Sequence, residues 1–381
     1  MKHRITLLKS SLTQTGGLEK YTWQIAQRFC QKKLPVTLLT TGTSHPPFES
    51  DYLNIVSFPI DYRLSVLNLL RFNRCCAQYI KKHPTPIIFG LDRNQFQTHI
   101  RAGNGVHAAY LNYRAQEEGI YKKLSFFFNP LHQMTLQLEK KAFEHPELQI
   151  LFTNSYLVKQ EVLSYYDIAP EKIQVVHNGV EWIALEPYFQ SWHQKKQTIL
   201  QGLKLPSSCY HLLFIGNNYR RKGLSKLLQA LSLIGNQNFH LSVIGKEYHL
   251  ADFQQQVSAL NLESKVTFFG PRNDTYQFYQ YADSLVIPSF YDPFANVTVE
   301  ALAMGLFVVS SARNGGSEIL SPTTGTVIES LEDISSFAQA LHIALSHPKT
   351  EKSAVAIRKS VKSFDFSHQL DRMVESILIN N

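Results

Sequence analysis

The chain has 381 residues, which suits two domains at roughly 100–200 residues each. Hydrophobic residues make up 44% and charged residues 18%, a globular composition that excludes a disordered chain. The positive excess, +8 overall, lies wholly in residues 1–180 with 21 basic against 13 acidic side chains; residues 181–381 balance at 17 each.

An excess confined to one half predicts that this half faces an anionic or membrane-borne partner, or else that its basic residues are solvated surface. No apolar run reaches the ~18–20 residues of a bilayer span. A lysine interrupts the short apolar start, Ile5 to Leu8 before Lys9, so it does not read as a secretory signal. Cys30, Cys75, Cys76 and Cys209 have no metal-ligand or redox spacing, which predicts a reducing cytoplasm.

In chain order, residues 5–8 read as a short buried strand and Gly16-Gly17 as a polar loop. Residues 18–30 read as a helix with Leu18, Tyr21, Ile25 and Phe29 on one stripe. A strand at 36–39, a helix at 64–80 and a strand at 86–89 follow. Residues 150–153 form a buried strand leading to Asn154-Ser155, which cap a helix at 156–165. A strand at 173–176 ends at His177-Asn178-Gly179. Residues 181–209 lack clean periodicity and read as a linker.

The second half repeats the rhythm. Strands are expected at 211–215, 240–244, 265–269, 284–287 and 306–310, with helices at 223–233, 253–260, 275–281, 297–304 and 334–345. Residues 367–379 are amphipathic and helical. Strand–helix alternation predicts an α/β protein of two doubly wound parallel-sheet domains, each with its crevice at the carboxyl ends of the strands.

The strongest chemical signal runs from Pro288 to Gly305. A strand ends at Pro288, a polar loop holds Asp292, and a helix starts near Asn296 and stops at Gly305. The amides of Asn296, Val297 and Thr298 at that helix start suit a phosphate, with Asp292 and Glu300 as hydroxyl acceptors on either side. A phosphate flanked by hydroxyl acceptors matches a nucleotide sugar. The second signal is Asn217-Asn218-Tyr219-Arg220-Arg221-Lys222-Gly223, which also follows a strand and opens a helix. Arg221 offers a planar fork and Lys222 a compact charge to a departing diphosphate. Gly16-Gly17 lets backbone amides approach a ligand; neither GxGxxG nor GxxxxGK[ST] is present.

These residues resemble a known family, the retaining glycosyltransferases of the GT-B fold, family 4. Asp292-x7-Glu300 stands at their Glu-x7-Glu motif, Arg221-Lys222-Gly223 at their Arg-Lys-Gly, Gly16-Gly17 at their Gly-Gly loop and His177-Asn178-Gly179-Val180 at their Pro-Asn-Gly-Val. Phe268 to Asp274 and Gly103 to His107 are similar to the lipopolysaccharide core glucosyltransferase branch. The resemblance implies an N-terminal acceptor domain, 1–180 with helix 367–381 crossing back, and a C-terminal donor domain, 181–366, facing a central cleft. It implies that Arg221 and Lys222 hold the donor diphosphate, that Glu300 binds the ribose and that Asp292 contacts the hexose. The backbone of Phe294, Ala295, Asn296 and Val297 touches hexose and phosphate, and Gly17 meets the phosphates from the other domain.

Two departures stand out. Asp292 is one methylene shorter than the usual glutamate, and Asn104 replaces an aspartate, so a base role passes to His107 or disappears. His107 is read as lying in a loop facing the crevice. The resemblance implies a metal-independent hexosyltransferase without cofactor, using a UDP-sugar and a lipid-linked saccharide acceptor. Other readings are a nucleotide-sugar epimerase and a binding protein with weak catalysis; a pI near 9.1 also permits a nucleic-acid role, but no nucleic-acid motif is present. Residues 121–141 combine Tyr121, Lys122, Lys123, three phenylalanines at 126–128, Lys140 and Lys141. They read as a seat on an anionic membrane surface, making the enzyme cytoplasmic and peripheral on the inner membrane, or as core phenylalanines beside solvated lysines.

Overall fold

The computed structural model describes residues 4–12, 17–42, 46–60 and 63–379. The chain divides into two compact units, Met1–His177 with Gln369–Asn381, and Asn178–His368. Among the described residues, unit 1 runs β1 (Ile5–Ser11), α1 (Gly17–Gln31), β2 (Val36–Thr41), β3 (Leu53–Phe58), α2 (Ser65–Lys82), β4 (Ile87–Gly90) and β5 (His99–Ala102). It continues with α3 (His107–Glu118), α4 (Ile120–Phe128), α5 (Pro130–Phe143), β6 (Ile150–Thr153), α6 (Tyr156–Tyr165) and β7 (Ile173–Val175). The strands lie in the order β3-β2-β1-β4-β5-β6-β7, all parallel.

Unit 2 runs α7 (Trp182–Gly202), β8 (Tyr210–Ile215), α8 (Leu224–Leu233), β9 (Phe239–Ile244), α9 (Leu250–Ala259), β10 (Val266–Gly270) and α10 (Thr275–Tyr281). Then come β11 (Ser284–Ile287), α11 (Asn296–Ala303), β12 (Phe307–Ser311), β13 (Gly325–Ile328), α12 (Ile334–Leu345), α13 (Glu351–Ser360) and the start of α14 (Phe366–Ile379). Its order is β10-β9-β8-β11-β12-β13, again parallel.

Most strand residues are buried because both faces of each sheet are covered. In β8, Leu212 and Phe214 enter one core with α8 and α12, while Leu213 and Ile215 enter the other with α7, α10 and α11. From Gln369 onward α14 packs on unit 1, where Tyr21 donates to the Met373 sulfur at 3.2 Å and Arg28 pairs with Asp371 at 2.7 Å.

Three expectations are corrected. Residues 181–209 are mostly the helix α7, not a linker. Phe189, Trp192 and Leu200 are buried in the unit 2 core, but Trp182 lies under the Arg358 guanidinium at 3.9 Å, so no single clean stripe shows in the sequence. β3, β5 and β13 are strands that the sequence pattern does not predict. β5 carries the buried polar residues His99 and Arg101, which interrupt an apolar run, and β3 is a half-exposed edge. His107 does not lie in a loop; it is the first residue of α3.

Candidate active site

The winding of unit 2 reverses between the adjacent strands β8 and β11, the place where an open parallel sheet forms its binding crevice. Both motif loops start there: residues 216–223 leave β8 and residues 288–295 leave β11.

In the first loop Asn218 has φ 58°, a left-handed conformation that asparagine tolerates. Its side-chain oxygen accepts the Arg221 amide and its carbonyl the Lys222 amide, each at 3.1 Å. Gly223 has φ +78°, and a β-carbon there would lie 1.9 Å from the Pro288 carbonyl oxygen. The two loops therefore touch backbone to backbone, which only glycine permits. The Phe290 amide closes on the Arg221 carbonyl at 3.1 Å.

The Lys222 stem lies over Gly216 and its buried ammonium donates to Asp292 Oδ2. Arg221 donates from Nη1 to the Tyr291 carbonyl at 3.1 Å and stands 3.7 Å from the same Asp292 oxygen. Burial lowers the Lys222 pKa, Asp292 opposes that shift and Arg221 adds to it. The other Asp292 oxygen accepts the Phe294 amide at 3.2 Å.

The start of α11 is held from several sides. The buried Asn314 side chain accepts the amides of Ala295 at 3.0 Å and Gly316 at 3.1 Å. It donates to the hydroxyls of Thr298 at 3.1 Å and Ser310 at 2.9 Å. Asn178 donates to the Asn296 side-chain oxygen at 2.7 Å. The Thr298 amide, expected to face a ligand, instead donates to the Ala295 carbonyl at 2.9 Å, because the first turn tightens there. The phosphate donors expected at this helix start thus narrow to Asn296 and Val297. Phe294 and Ala295 bury their side chains in the core, so only their backbone is available to a ligand. Glu300 Oε2 accepts the hydroxyl of buried Tyr279 at 2.8 Å. Burial, then the Glu300 charge, raises the Tyr279 pKa well above its usual value, so the phenol stays protonated and donates.

In unit 1 the winding reverses between β1 and β4. Gly17 begins α1 just after β1; Gly16 lies outside the described residues. Lys9 pairs with Asp92 at 2.8 Å, and the amide and hydroxyl of Ser10 donate to the same carboxylate at 2.7 and 2.6 Å. His99 is fully buried, which lowers its pKa to about 4. The His107 amide donates to buried Glu139 at 2.9 and 3.1 Å, so a carboxylate from α5 caps α3. Glu139 also takes the Tyr166 hydroxyl at 2.7 Å and pairs with Arg93 at 3.3 Å. The His107 Nε2 stands 3.1 Å from His132 Nδ1. Burial, with Arg93 and His132 nearby, lowers the His107 pKa to about 3, so the ring is neutral at pH 7. Asn104 is exposed.

The three phenylalanines of α4 divide. Phe126 is buried, with the Arg114 guanidinium 4.8 Å from its ring and His132 5.5 Å away, while Phe127, Phe128 and Leu124 are exposed. The side chains of Tyr121, Lys122 and Lys123 lie outside the described residues. Lys140 and Lys141 border an open depression of about 530 Å³ with Gln95, Gln137 and His145. It contains none of the predicted catalytic or donor residues.

Sequence reasoning missed Tyr279, Asn314 and Glu139. Asn314 precedes Gly315-Gly316 after a strand, a signal that marks a turn close to a ligand loop; Tyr279 and Glu139 give no local signal.

The chain superposes on the crystal structure of WaaG, a glycosyltransferase involved in lipopolysaccharide biosynthesis, with a TM-score of 0.74 at 19% identity, covering 98% of this chain and 99% of that one. It superposes on Anabaena Alr3699/HepE in complex with UDP-glucose with a TM-score of 0.65 at 16% identity, covering 99% of each. The architecture is GT-B. Residues 15–181 match the profile "Glycosyltransferase Family 4" and residues 195–362 the profile "Glycosyl transferases group 1". Over 322 residues the chain is 31% identical to an uncharacterized glycosyltransferase, MJ1607, of Methanocaldococcus jannaschii, covering 80% of this chain and 79% of that protein. It is 23% identical to the lipopolysaccharide glucosyltransferase WaaG of Escherichia coli over 328 residues, 82% of each. The chain belongs to the group 1, family 4 glycosyltransferases.

Proposed function

We propose that this glycosyltransferase moves glucose from UDP-glucose, with retention of configuration, to a lipid-linked saccharide such as the lipopolysaccharide inner core. One observation carries the reading: Arg221 and Lys222 meet the loop leading into α11 at the reversal point of unit 2. A guanidinium, an ammonium and a helix start converge where a diphosphate would accumulate charge on losing its hexose. The glucosyltransferase relative and the neighbour solved with UDP-glucose support the choice of donor and acceptor.

In this mechanism the bond from the anomeric carbon to the diphosphate breaks, its electron pair leaving with the phosphate oxygen. The acceptor hydroxyl attacks from the same face, and that phosphate oxygen takes the hydroxyl proton. Arg221, Lys222 and the start of α11 supply the stabilising positive charge, so the step needs no metal from these residues' side. Glu300, oriented by Tyr279, accepts the ribose hydroxyls, and Asp292 contacts the hexose. Neutral His107 serves as a hydrogen-bonding group for the acceptor or hexose, not as a cation. Phe127, Phe128 and Leu124 on α4, with the lysines of 121–141, seat the enzyme on the cytoplasmic face of an anionic inner membrane.

A melting panel with UDP-, GDP- and ADP-sugars tests the donor. UDP-glucose at 100 times its Kd should add about 2.7 kcal/mol; a larger shift with a GDP- or ADP-sugar overturns it. Turnover of UDP-glucose with isolated core acceptor separates transfer from epimerisation and from mere binding. Lys222→Ala should abolish transfer, and full turnover in that variant would remove Lys222 from the mechanism.

A further inference from the structure

The cationic clamp is already occupied. Lys222 and Asp292 are both buried, and the lysine donates to Asp292 Oδ2. Arg221 approaches the same oxygen at 3.7 Å. Two cations thus converge on one carboxylate oxygen at the place read above as the diphosphate site. The carboxylate is held in that position from outside the pair. Its second oxygen accepts the Phe294 amide at 3.2 Å. Its own amide donates to the Arg313 carbonyl at 3.0 Å, and its carbonyl accepts the Gly315 amide at 2.9 Å.

We propose that Asp292 is the resident counter-ion of the donor clamp, standing on Lys222 and Arg221 in the donor-free enzyme and exchanged for the donor diphosphate on binding. Two costs favour such an exchange. A buried ammonium cannot be left without a partner cheaply, and a diphosphate arriving beside an unmoved carboxylate would meet like charge. Anchored at its backbone in the 288–295 loop, Asp292 reaches across to Lys222 in the 216–223 loop. Asp292 is therefore a positioning residue for Lys222, and the negative charge it carries sets how strongly an anion must bind to displace it. The inference rests on the donor-site reading but concerns anion binding alone.

Calorimetry with inorganic pyrophosphate and with UDP on the full chain tests it, using the wild type, Asp292→Asn, Asp292→Glu and Lys222→Ala. Asp292→Asn should bind pyrophosphate about tenfold more tightly than the wild type, because the competing charge is gone. It should also melt lower without ligand and regain the loss with pyrophosphate. Asp292→Glu should stay close to wild type, and Lys222→Ala should lose pyrophosphate binding. A merely structural aspartate would lower stability without tightening anion binding. Unchanged or weaker pyrophosphate binding in Asp292→Asn overturns the proposal. Should that variant fail to fold, a crystal structure of the wild type with UDP decides. Lys222 moved from Asp292 to a phosphate oxygen supports exchange, and an intact Lys222–Asp292 bond overturns it. UDP-glucose turnover by the wild type is measured alongside. Tighter pyrophosphate binding without turnover leaves the counter-ion role standing and removes the transfer reading; turnover with unchanged anion binding does the reverse.

Discussion

Tyr279 reaches the candidate site from a helix that contributes nothing else to it. Its hydroxyl donates to Glu300 at 2.8 Å, and the partner is a carboxylate, so the bond belongs to the stronger, charge-assisted class. Tyr279→Phe should leave the ring packed and the fold intact while removing one hydrogen bond from Glu300. The donor KM should rise about tenfold, in line with a bond of about 1.5 kcal/mol, with a smaller change in kcat. Steady-state kinetics with UDP-glucose checks this, and an unchanged KM would contradict it. Arg221, Lys222, Asp292 and Glu300 stand out in the sequence because charge beside a strand end is visible in a string of letters. Partners were not visible. Nothing in the sequence put Asp292 on Lys222, or Asn314 under the first turn of α11.

At the scale of elements, Gly223 is where the two motif loops meet. A β-carbon there meets a backbone oxygen at 1.9 Å, and φ +78° is unfavourable for any other residue. Gly223→Ala must push the two motif loops apart. It should cost at least about 2 kcal/mol of stability and lose UDP binding together with it. Urea unfolding and calorimetry measure the two losses; wild-type values in both would disprove the close contact. The helix α4 makes a separate prediction. With Phe127 and Phe128 exposed beside buried Phe126, replacing both by serine should reduce flotation with anionic liposomes and leave the melting temperature within a degree or two. Equal flotation by variant and wild type would reject the membrane seat. Element boundaries followed periodicity where one face alone was buried, as in α1, α6 and α12. Periodicity failed for α7, whose aromatic residues serve both a core and a guanidinium, and for β5, whose buried face is partly polar.

For the whole molecule, pH acts on both units through buried histidines. His99 in unit 1 and His211 in unit 2 are fully buried, and burial lowers each pKa from 6.5 to about 4. The folded chain keeps both neutral, while the unfolded chain takes up protons below pH 6.5. Their contribution is therefore complete above pH 6.5 and declines as pH falls toward 4, by up to about 1.4 kcal/mol per pH unit for each histidine. Melts at pH 7.5 and pH 5 should show the loss, and His211→Gln should shrink it; an identical pH slope in that variant would refute the assignment.

Taken alone, the sequence determined the α/β class, the parallel two-sheet plan, the family and the two loops that carry the charge. These are local properties: apolar runs of one strand's length, helical stripes and motifs of a few residues. The tertiary structure alone decided who partners whom. Lys222 and Asp292 are 70 positions apart, His107 and Glu139 are 32 apart, and Tyr279 and Glu300 are 21 apart. Such pairs exist only once parallel strands have brought their carboxyl ends side by side, so no window of neighbouring residues can encode them.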